Sequence, residues 1–203
     1  DLCDLGLDSI EETEDEFRIG AMVTLRQLEQ HPGLAAYSCG AVEAAFKDIV
    51  GVQFRNGATV GGSLWRRMGF SDELAIFMAM DSYVELYKGG LVALEEFAHM
   101  KSDNDILVRL IIKKRPGAFA YQAVRKQRTD IPSLNCAAAQ VAGEWRVVVG
   151  SRPARAVVLR DEQGILANGI TEESAAAFAD YAAGTVTVSG NMWGSAEYRR
   201  ALV

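Results

Sequence analysis

The sequence has few residues from which a metal centre or a nucleophilic active site could be built. Its three cysteines, Cys3, Cys39 and Cys136, are odd in number and far apart, and no Cys-x-x-Cys pair occurs. An iron–sulfur cluster or a structural zinc site therefore cannot be assembled from this chain alone. The only histidines, His31 and His99, lack a carboxylate or thiolate at a useful spacing. We therefore expect both to be structural and predict no Ser-His-Asp or Cys-His site.

Long apolar runs and basic blocks are also absent. No apolar stretch approaches the roughly 18 residues that cross a bilayer, and the opening residues do not have the pattern of a signal peptide. The 21 Lys and Arg against 27 Asp and Glu give a net charge of −6. Without clustered cations this balance argues against a nucleic-acid partner. The few cysteines favour a reducing compartment, so we expect a cytoplasmic protein with no membrane partner.

Residue periodicity predicts an α+β fold in two parts. In the first part, a strand over Phe17–Val23 precedes a helix that Thr24 caps, with Gln27 at the spacing of a capping box, and His31-Pro32-Gly33 is expected to end that helix. A hairpin is predicted across Lys88-Gly89-Gly90. A boundary near Lys113–Gly117 divides residues 1–113 from residues 114–203, where a small antiparallel sheet and helices starting after Thr171 and Ser195 are predicted.

The passage Arg55–Leu64 is rich in glycine. Gly57, Gly61 and Gly62 fall within six positions, which a fold tolerates where the backbone bends sharply or approaches a ligand closely. Successive free amides at such a bend would form a nest for a pyrophosphate. The passage has neither the Gly-x-Gly-x-x-Gly pattern nor the lysine of a Walker A loop. Spacing alone therefore leaves pyrophosphate binding and a tight structural turn both open.

The order of motifs resembles that of the FAD-binding, or medium, subunits of the molybdenum hydroxylases, which include xanthine dehydrogenase and carbon monoxide dehydrogenase. The signature of that family is Arg-Asn, two residues, then Thr/Ser-Val/Ile-Gly-Gly-Asn-Leu/Ile. The corresponding run here is Arg55-Asn56-Gly57-Ala58-Thr59-Val60-Gly61-Gly62-Ser63-Leu64. Similar segments follow in the same order at 71–72, 78–82, 106–112, 121–131 and 194–200. The resemblance thus covers nearly the whole chain.

This resemblance implies a bound FAD in a PCMH-type FAD-binding domain at 1–113 that lacks its upstream segment. A C-terminal flavoprotein domain similar to that of carbon monoxide dehydrogenase would follow at 114–203. The residues carried over as cofactor-binding are Ile49, Thr59, Val60, Gly61, Gly62, Ser63, Asp72, Leu107 and Gln122. Thr59–Ser63 would line the dinucleotide and Asp72 would bind ribityl or ribose hydroxyls. Ile49 and Leu107 would lie at the ring system, and Gln122 stands near where some members have a lysine close to the flavin.

The function implied is an oxidoreductase subunit. It would pass electrons from the [2Fe–2S] clusters of an iron–sulfur subunit through FAD to NAD⁺ or another acceptor, in a complex with a molybdopterin-binding large subunit. No side chain of this chain need act as an acid or base. The substrate is not indicated by this sequence.

Departures from the family pattern leave an alternative open. Ser63 replaces the usual Asn, Gln122 replaces the lysine, and Trp65–Phe70 replaces a stretch that is usually small and contains proline. Within that stretch, Arg66 or Arg67 is a candidate phosphate ligand or a solvated surface residue. A second phosphate loop of the family, of Ala-Gly-Gly-Thr type, would precede Asp1, so the sequence is either a fragment or has an incomplete site. The alternative function is a non-catalytic scaffold that keeps the fold without functional FAD.

Overall fold

The computed structural model describes residues 2–101 and 104–203, which form two antiparallel sheets. The first sheet has the order β1-β2-β5-β3-β4, and its strands are β1 (Ile10–Glu12), β2 (Glu16–Gly20), β3 (Ser82–Leu86), β4 (Gly90–Ala93) and β5 (Leu107–Lys113). The second sheet follows chain order with β6 (Gly117–Val124), β7 (Leu134–Val141), β8 (Glu144–Gly150) and β9 (Val157–Arg160). The central strand β5 pairs with both β2 and β3, placing Ile112 opposite Phe17 and Leu110 opposite Val84.

Most of the helices are short and lie in the first half of the chain. They are α1 (Leu25–Gln30), α2 (Pro32–Tyr37), α3 (Ala41–Phe46), α4 (Val52–Gly57), α5 (Val60–Trp65), α6 (Asp72–Ala79), α7 (Leu94–His99), α8 (Glu172–Thr185) and α9 (Ala196–Leu202). A single 3₁₀ turn at Cys3–Leu5 precedes β1. The predicted α+β class is confirmed. Within the ranges that the structure describes, no helix is both long enough and apolar enough to cross a bilayer.

The local signals around α1 act as the sequence predicts. Thr24 and Gln27 form a capping box, in which the Gln27 amide donates to Thr24 Oγ1 at 3.2 Å and the Thr24 amide donates to Gln27 Oε1 at 2.8 Å. The helix ends at Gln30, before His31. His31 has the structural role expected of it, because its Nδ1 accepts the Leu34 amide at 3.2 Å and caps α2. Pro32 is therefore the first residue of α2, and it lies two residues after the end of α1.

The main core joins the two sheets through α6. All eight residues of α6 are buried, and this helix packs against β3 of the first sheet and against β7 and β8 of the second. Consecutive residues of β8 face opposite sides: Val148 belongs to the core shared with α6, and Val149 belongs to a smaller core under α8. The sheets change between Lys113 and Gly117, but residues of both sheets share the main core.

Candidate functional site: two clefts beside helix α5

The glycine-rich passage forms two short helices, α4 and α5, joined at Ala58 and Thr59. Thr59 is the N-cap of α5. The amides that follow all donate to protein oxygens: Val60 to the Val23 carbonyl (2.9 Å), Gly61 to the Ala21 carbonyl (2.9 Å), Gly62 to Thr59 Oγ1 (3.2 Å) and Ser63 to the Thr59 carbonyl (3.0 Å). The amides that a nest at Gly61-Gly62 would offer to a pyrophosphate are therefore not free in this structure. A helix start and a bridge to the end of β2 use those donors instead.

The two adjacent glycines of α5 have different roles. A Cβ on Gly61 would lie 2.6 Å from the Cβ of Ala21, so the missing side chain lets α5 pack against the chain that leaves β2. A Cβ on Gly62 would meet only Thr59 Oγ1, at 3.2 Å, and Gly62 is exposed. Gly61 is thus required for packing, whereas Gly62 opens onto free space beside the helix.

One side of that space is a cleft of about 440 Å³, here called the first cleft. Its apolar walls include Ile49, Val50, Phe54, Met68, Phe70 and Ile131. The charged residues that line it are Arg66, Asp72, Glu73, Arg125 and Asp130. Phe54 and Phe70 are each at least 40% exposed, which leaves aromatic surface open to a ligand.

A second cleft, of about 520 Å³, also borders α5. It is lined by Ala21, Met22, Trp65, Asp105, Ile106 and Leu107, among others. The residues common to the two clefts are Thr59, Gly62 and Arg66. The two clefts therefore share this part of α5 as a wall, to which Gly62 adds no side chain.

Asp72 anchors the first cleft to the second sheet. Its Oδ1 pairs with Arg125 at 2.8 Å and accepts hydrogen bonds from the Tyr121 hydroxyl and from Asn135 Nδ2, the latter at 3.3 Å. The Asp72 and Arg125 side chains are each 8% exposed. Burial, and then the charge of Asp72, raises the pKa of the Tyr121 hydroxyl, which therefore stays protonated as the donor. The carboxylate is held in place by residues far away in sequence.

A second buried carboxyl, Glu73, lies next to Asp72. It accepts hydrogen bonds from the hydroxyls of Ser63 at 2.9 Å and Ser71 at 2.7 Å. Burial raises the pKa of Glu73 and outweighs the opposing effect of these hydrogen bonds. Ser63, which stands where the family signature has Asn, thus contacts Glu73.

The predicted cofactor residues are distributed over several places. Ile49, Ser63 and Asp72 line the first cleft, Gly61 and Leu107 line the second, and Thr59 and Gly62 line both. Val60 is fully buried in the core and lines neither cleft. Gln122 lines a separate depression with Lys47 and Arg128. Ile49 and Leu107, which were expected at one ring system, lie in different clefts.

Sequence reasoning missed three of the residues that organise the first cleft: Glu73, Arg125 as the partner of Asp72, and Asn135. Glu73 had a local signal, since an acidic residue in the first turn after the cap Ser71 is typical of a helix start. Asn135 had none, because it is 63 residues from Asp72 in the chain. Arg125 belongs to the basic run 125–128, and its side chain is buried against Asp72.

The two candidate phosphate ligands, Arg66 and Arg67, lie in different surroundings. Arg67 is buried, with its guanidinium over the rings of Phe97 and Trp65 at 3.9 and 4.9 Å. Its backbone is in the left-handed region, at φ 48°. Arg66 is exposed and lines both clefts. Only Arg66 of this pair faces the space beside α5.

A family model described as the FAD binding domain in molybdopterin dehydrogenase matches residues 1–114, more than half of the chain. The chain belongs to this family. FAD is its cofactor, and the protein is a flavoprotein component of an oxidoreductase, as the resemblance implied.

Individual relatives agree with this assignment. The nicotine 6-hydroxylase medium subunit of Paenarthrobacter nicotinovorans is 26% identical over 213 aligned positions, which cover 98% of this chain and 75% of that protein. Among solved structures, the cyanide-inactivated Cu,Mo-CO dehydrogenase gives a TM-score of 0.83 at 22% identity, covering 100% of this chain and 76% of that one. Quinoline 2-oxidoreductase from Pseudomonas putida 86 gives 0.81 at 20% identity, covering 97% and 73%. The solved structures show a shared fold.

The residues present fit an FAD molecule. The first cleft has the aliphatic and aromatic residues that suit an isoalloxazine ring, and polar residues line it as well. Gly62 lines both clefts, and a Cβ there would meet only Thr59 Oγ1, so the space beside α5 stays open at this position. The amides of residues 60–63 already donate within the protein, so side chains rather than a backbone nest must supply the polar contacts here.

Proposed function

We propose that this chain is the FAD-binding subunit of a molybdopterin-dependent dehydrogenase and carries electrons between a partner iron–sulfur subunit and NAD⁺ or another acceptor. The family match supports the FAD-binding role. The relative from Paenarthrobacter nicotinovorans is called a medium subunit, which supports an assembly with an iron–sulfur subunit and a large molybdopterin subunit. A cytoplasmic location stays a prediction from the low cysteine content.

The observation that carries our placement of the cofactor is the pair of clefts that share Thr59, Gly62 and Arg66. FAD has two bulky halves joined by a diphosphate. We place the flavin half in the first cleft, against Ile49 and Phe54, and the adenosine half in the second cleft, against Leu107. This assignment keeps Ile49 near the ring system and moves Leu107 to the other half of the cofactor.

The side chains around the first cleft would hold and orient the ring. Apolar contact with Ile49 and Phe54 removes water from its faces, and Asp72, fixed by Arg125 and Tyr121, offers a carboxylate to ribityl hydroxyls. Bound FAD supplies the redox chemistry, because it exchanges electrons singly or in pairs. Val60 contributes to the packing of the core, and Gln122 lies outside both clefts.

We also propose that residues 1–113 form the FAD-binding domain and residues 114–203 the C-terminal flavoprotein domain. The change of sheet between β5 and β6 supports this division. Arg125 and the segment 129–132 line the first cleft from the second part. The C-terminal part would therefore complete the flavin half of the site.

The test is binding of FAD to the purified full chain, followed by the visible absorption of the bound flavin and by equilibrium dialysis. Gly62→Asp puts a carboxylate on the wall that the two clefts share, and we expect at least tenfold weaker binding from charge repulsion and lost space. Gly57→Asp is the matched control, since a Cβ there meets nothing within 4 Å and Gly57 lines neither cleft.

Equal FAD affinity of the two variants would overturn our placement of the cofactor. Failure of the unmodified chain to bind FAD, even in excess, would instead support the scaffold alternative.

A further inference from the structure

We propose that Arg66 is the residue of this chain that binds the diphosphate of FAD. The proposal rests on the placement of the cofactor given above. Arg66 follows α5 directly and is one of the residues common to both clefts, together with Thr59 and Gly62. A ligand with one half in each cleft must pass its middle along this shared wall, and the middle of FAD is the doubly charged diphosphate.

Helix geometry directs the Arg66 side chain towards that wall. Side chains on a helix lean towards its N-terminus, and residues four apart lie on one face. Arg66 therefore extends over Gly62, where the absence of a Cβ leaves room for the guanidinium. Thr59, one further turn back, ends the same face.

The charge of Arg66 is available for a ligand. Its guanidinium makes no ion pair or hydrogen bond with the residues that the structure describes, whereas Arg125, in the first cleft alone, is committed to Asp72 at 2.8 Å. The backbone amides of residues 60–63 donate within the protein. A guanidinium forms paired, charge-assisted hydrogen bonds with phosphate oxygens. Arg66 therefore supplies the hydrogen-bond donors that the amides at the start of α5 do not offer to a ligand.

The experiment compares FAD, riboflavin and ADP as ligands of the full chain, with Arg66→Gln, Arg66→Lys and Arg200→Gln as variants. Arg200→Gln makes the same change of charge at an exposed position on α9 that lines neither cleft. Direct titration gives the affinity for FAD and riboflavin, and competition against FAD gives that for ADP.

We expect Arg66→Gln to weaken the binding of FAD and of ADP about tenfold or more, while the affinity for riboflavin stays unchanged. Arg66→Lys should recover part of the loss, and Arg200→Gln should bind as the unmodified chain does. Added salt should weaken FAD binding more in the unmodified chain than in Arg66→Gln.

Two results would overturn the proposal while leaving FAD binding intact: unchanged FAD affinity in Arg66→Gln, or equal losses for FAD and riboflavin. Absence of FAD binding in the unmodified chain would refute the proposed function itself.

Discussion

The amide of Gly61 donates to the carbonyl of Ala21 at 2.9 Å, and a Cβ on Gly61 would lie 2.6 Å from the Cβ of Ala21. The first turn of α5 is thus fixed directly against the end of β2. Gly62, the next residue, has no such contact, because its Cβ would meet only Thr59 Oγ1 at 3.2 Å. The Gly61-Gly62 pair therefore combines one packing position with one position open to a ligand.

These two glycines make a matched pair of variants. Gly61→Ala should destabilise the fold by about 2 kcal/mol or more, because the added methyl collides with Ala21 and its carbonyl in a packed core. Gly62→Ala should change stability by less than about 1 kcal/mol, since alanine is the better helix former and only a rotatable hydroxyl must give way. Urea unfolding of both variants measures the difference. Equal losses would show that Gly61 is not a packing glycine.

The buried pair Asp72–Arg125 connects α6 to the second sheet and should contribute strongly to stability. Asp72→Ala leaves the Arg125 guanidinium buried without its partner, for which we expect a loss of about 3 kcal/mol. Asp48→Ala is the control, because it removes an ion pair in which the Arg128 side chain is 79% exposed, and exposed pairs contribute little. Thermal or urea unfolding gives the comparison, and similar midpoints for the two variants would contradict the assignment.

Glu73 should make stability depend on pH. Burial raises the pKa of its carboxyl above the ordinary value for glutamate in the folded chain. Between the ordinary and the raised pKa the unfolded chain releases the proton while the folded chain retains it, so the stability of the folded state falls as pH rises through this interval. Each unit of separation between the two pKa values corresponds to about 1.4 kcal/mol.

Glu73→Gln removes this titration but keeps hydrogen-bonding groups for Ser63 and Ser71. The variant should therefore gain stability relative to the unmodified chain, and the gain should be larger at pH 8 than at pH 5. Urea unfolding at the two pH values measures both differences. A difference that does not change with pH would show that Glu73 does not retain its proton in the folded chain.

Structural features that depend on a few neighbouring residues could be predicted from the sequence. Thr24, Thr171 and Ser195 cap helices as predicted, and the hairpin across Lys88-Gly89-Gly90 joins β3 to β4. Each cap hydrogen bond joins residues three apart, and the innermost pair of the hairpin is Leu86 with Gly90. Local propensity and spacing therefore determine these features.

Structural features that depend on residues far apart in the chain could not be predicted from the sequence. The role of Gly61 is set by Ala21, 40 residues earlier in numbering, and the environment of Asp72 is set by Tyr121, Arg125 and Asn135. The spacing of glycines gave no means of separating a free amide from one that donates to a neighbouring strand. The family resemblance identified the cofactor, but the division of its binding residues between two clefts required the fold.

Arg199 provides a test of the C-terminal segment that is independent of the cofactor. It is fully buried and donates to the carbonyls of Ser133 (2.7 Å), Ser189 (2.8 Å) and Gly194 (2.6 Å) and to Asn191 Oδ1 (2.6 Å). The shorter ammonium of Arg199→Lys cannot reach all of these acceptors, and buried acceptors left unsatisfied cost about 1–3 kcal/mol each.

We therefore expect Arg199→Lys to unfold at clearly lower urea concentration than the unmodified chain and to lose protection from proteolysis at residues 186–203. Arg200→Lys, one position along the same helix, should behave as the unmodified chain, because the Arg200 side chain is exposed and donates to the Ala183 carbonyl at 2.9 Å. If the two variants were equally stable, the four hydrogen bonds of Arg199 would not be what holds α9 against Ser133 and the segment 189–194.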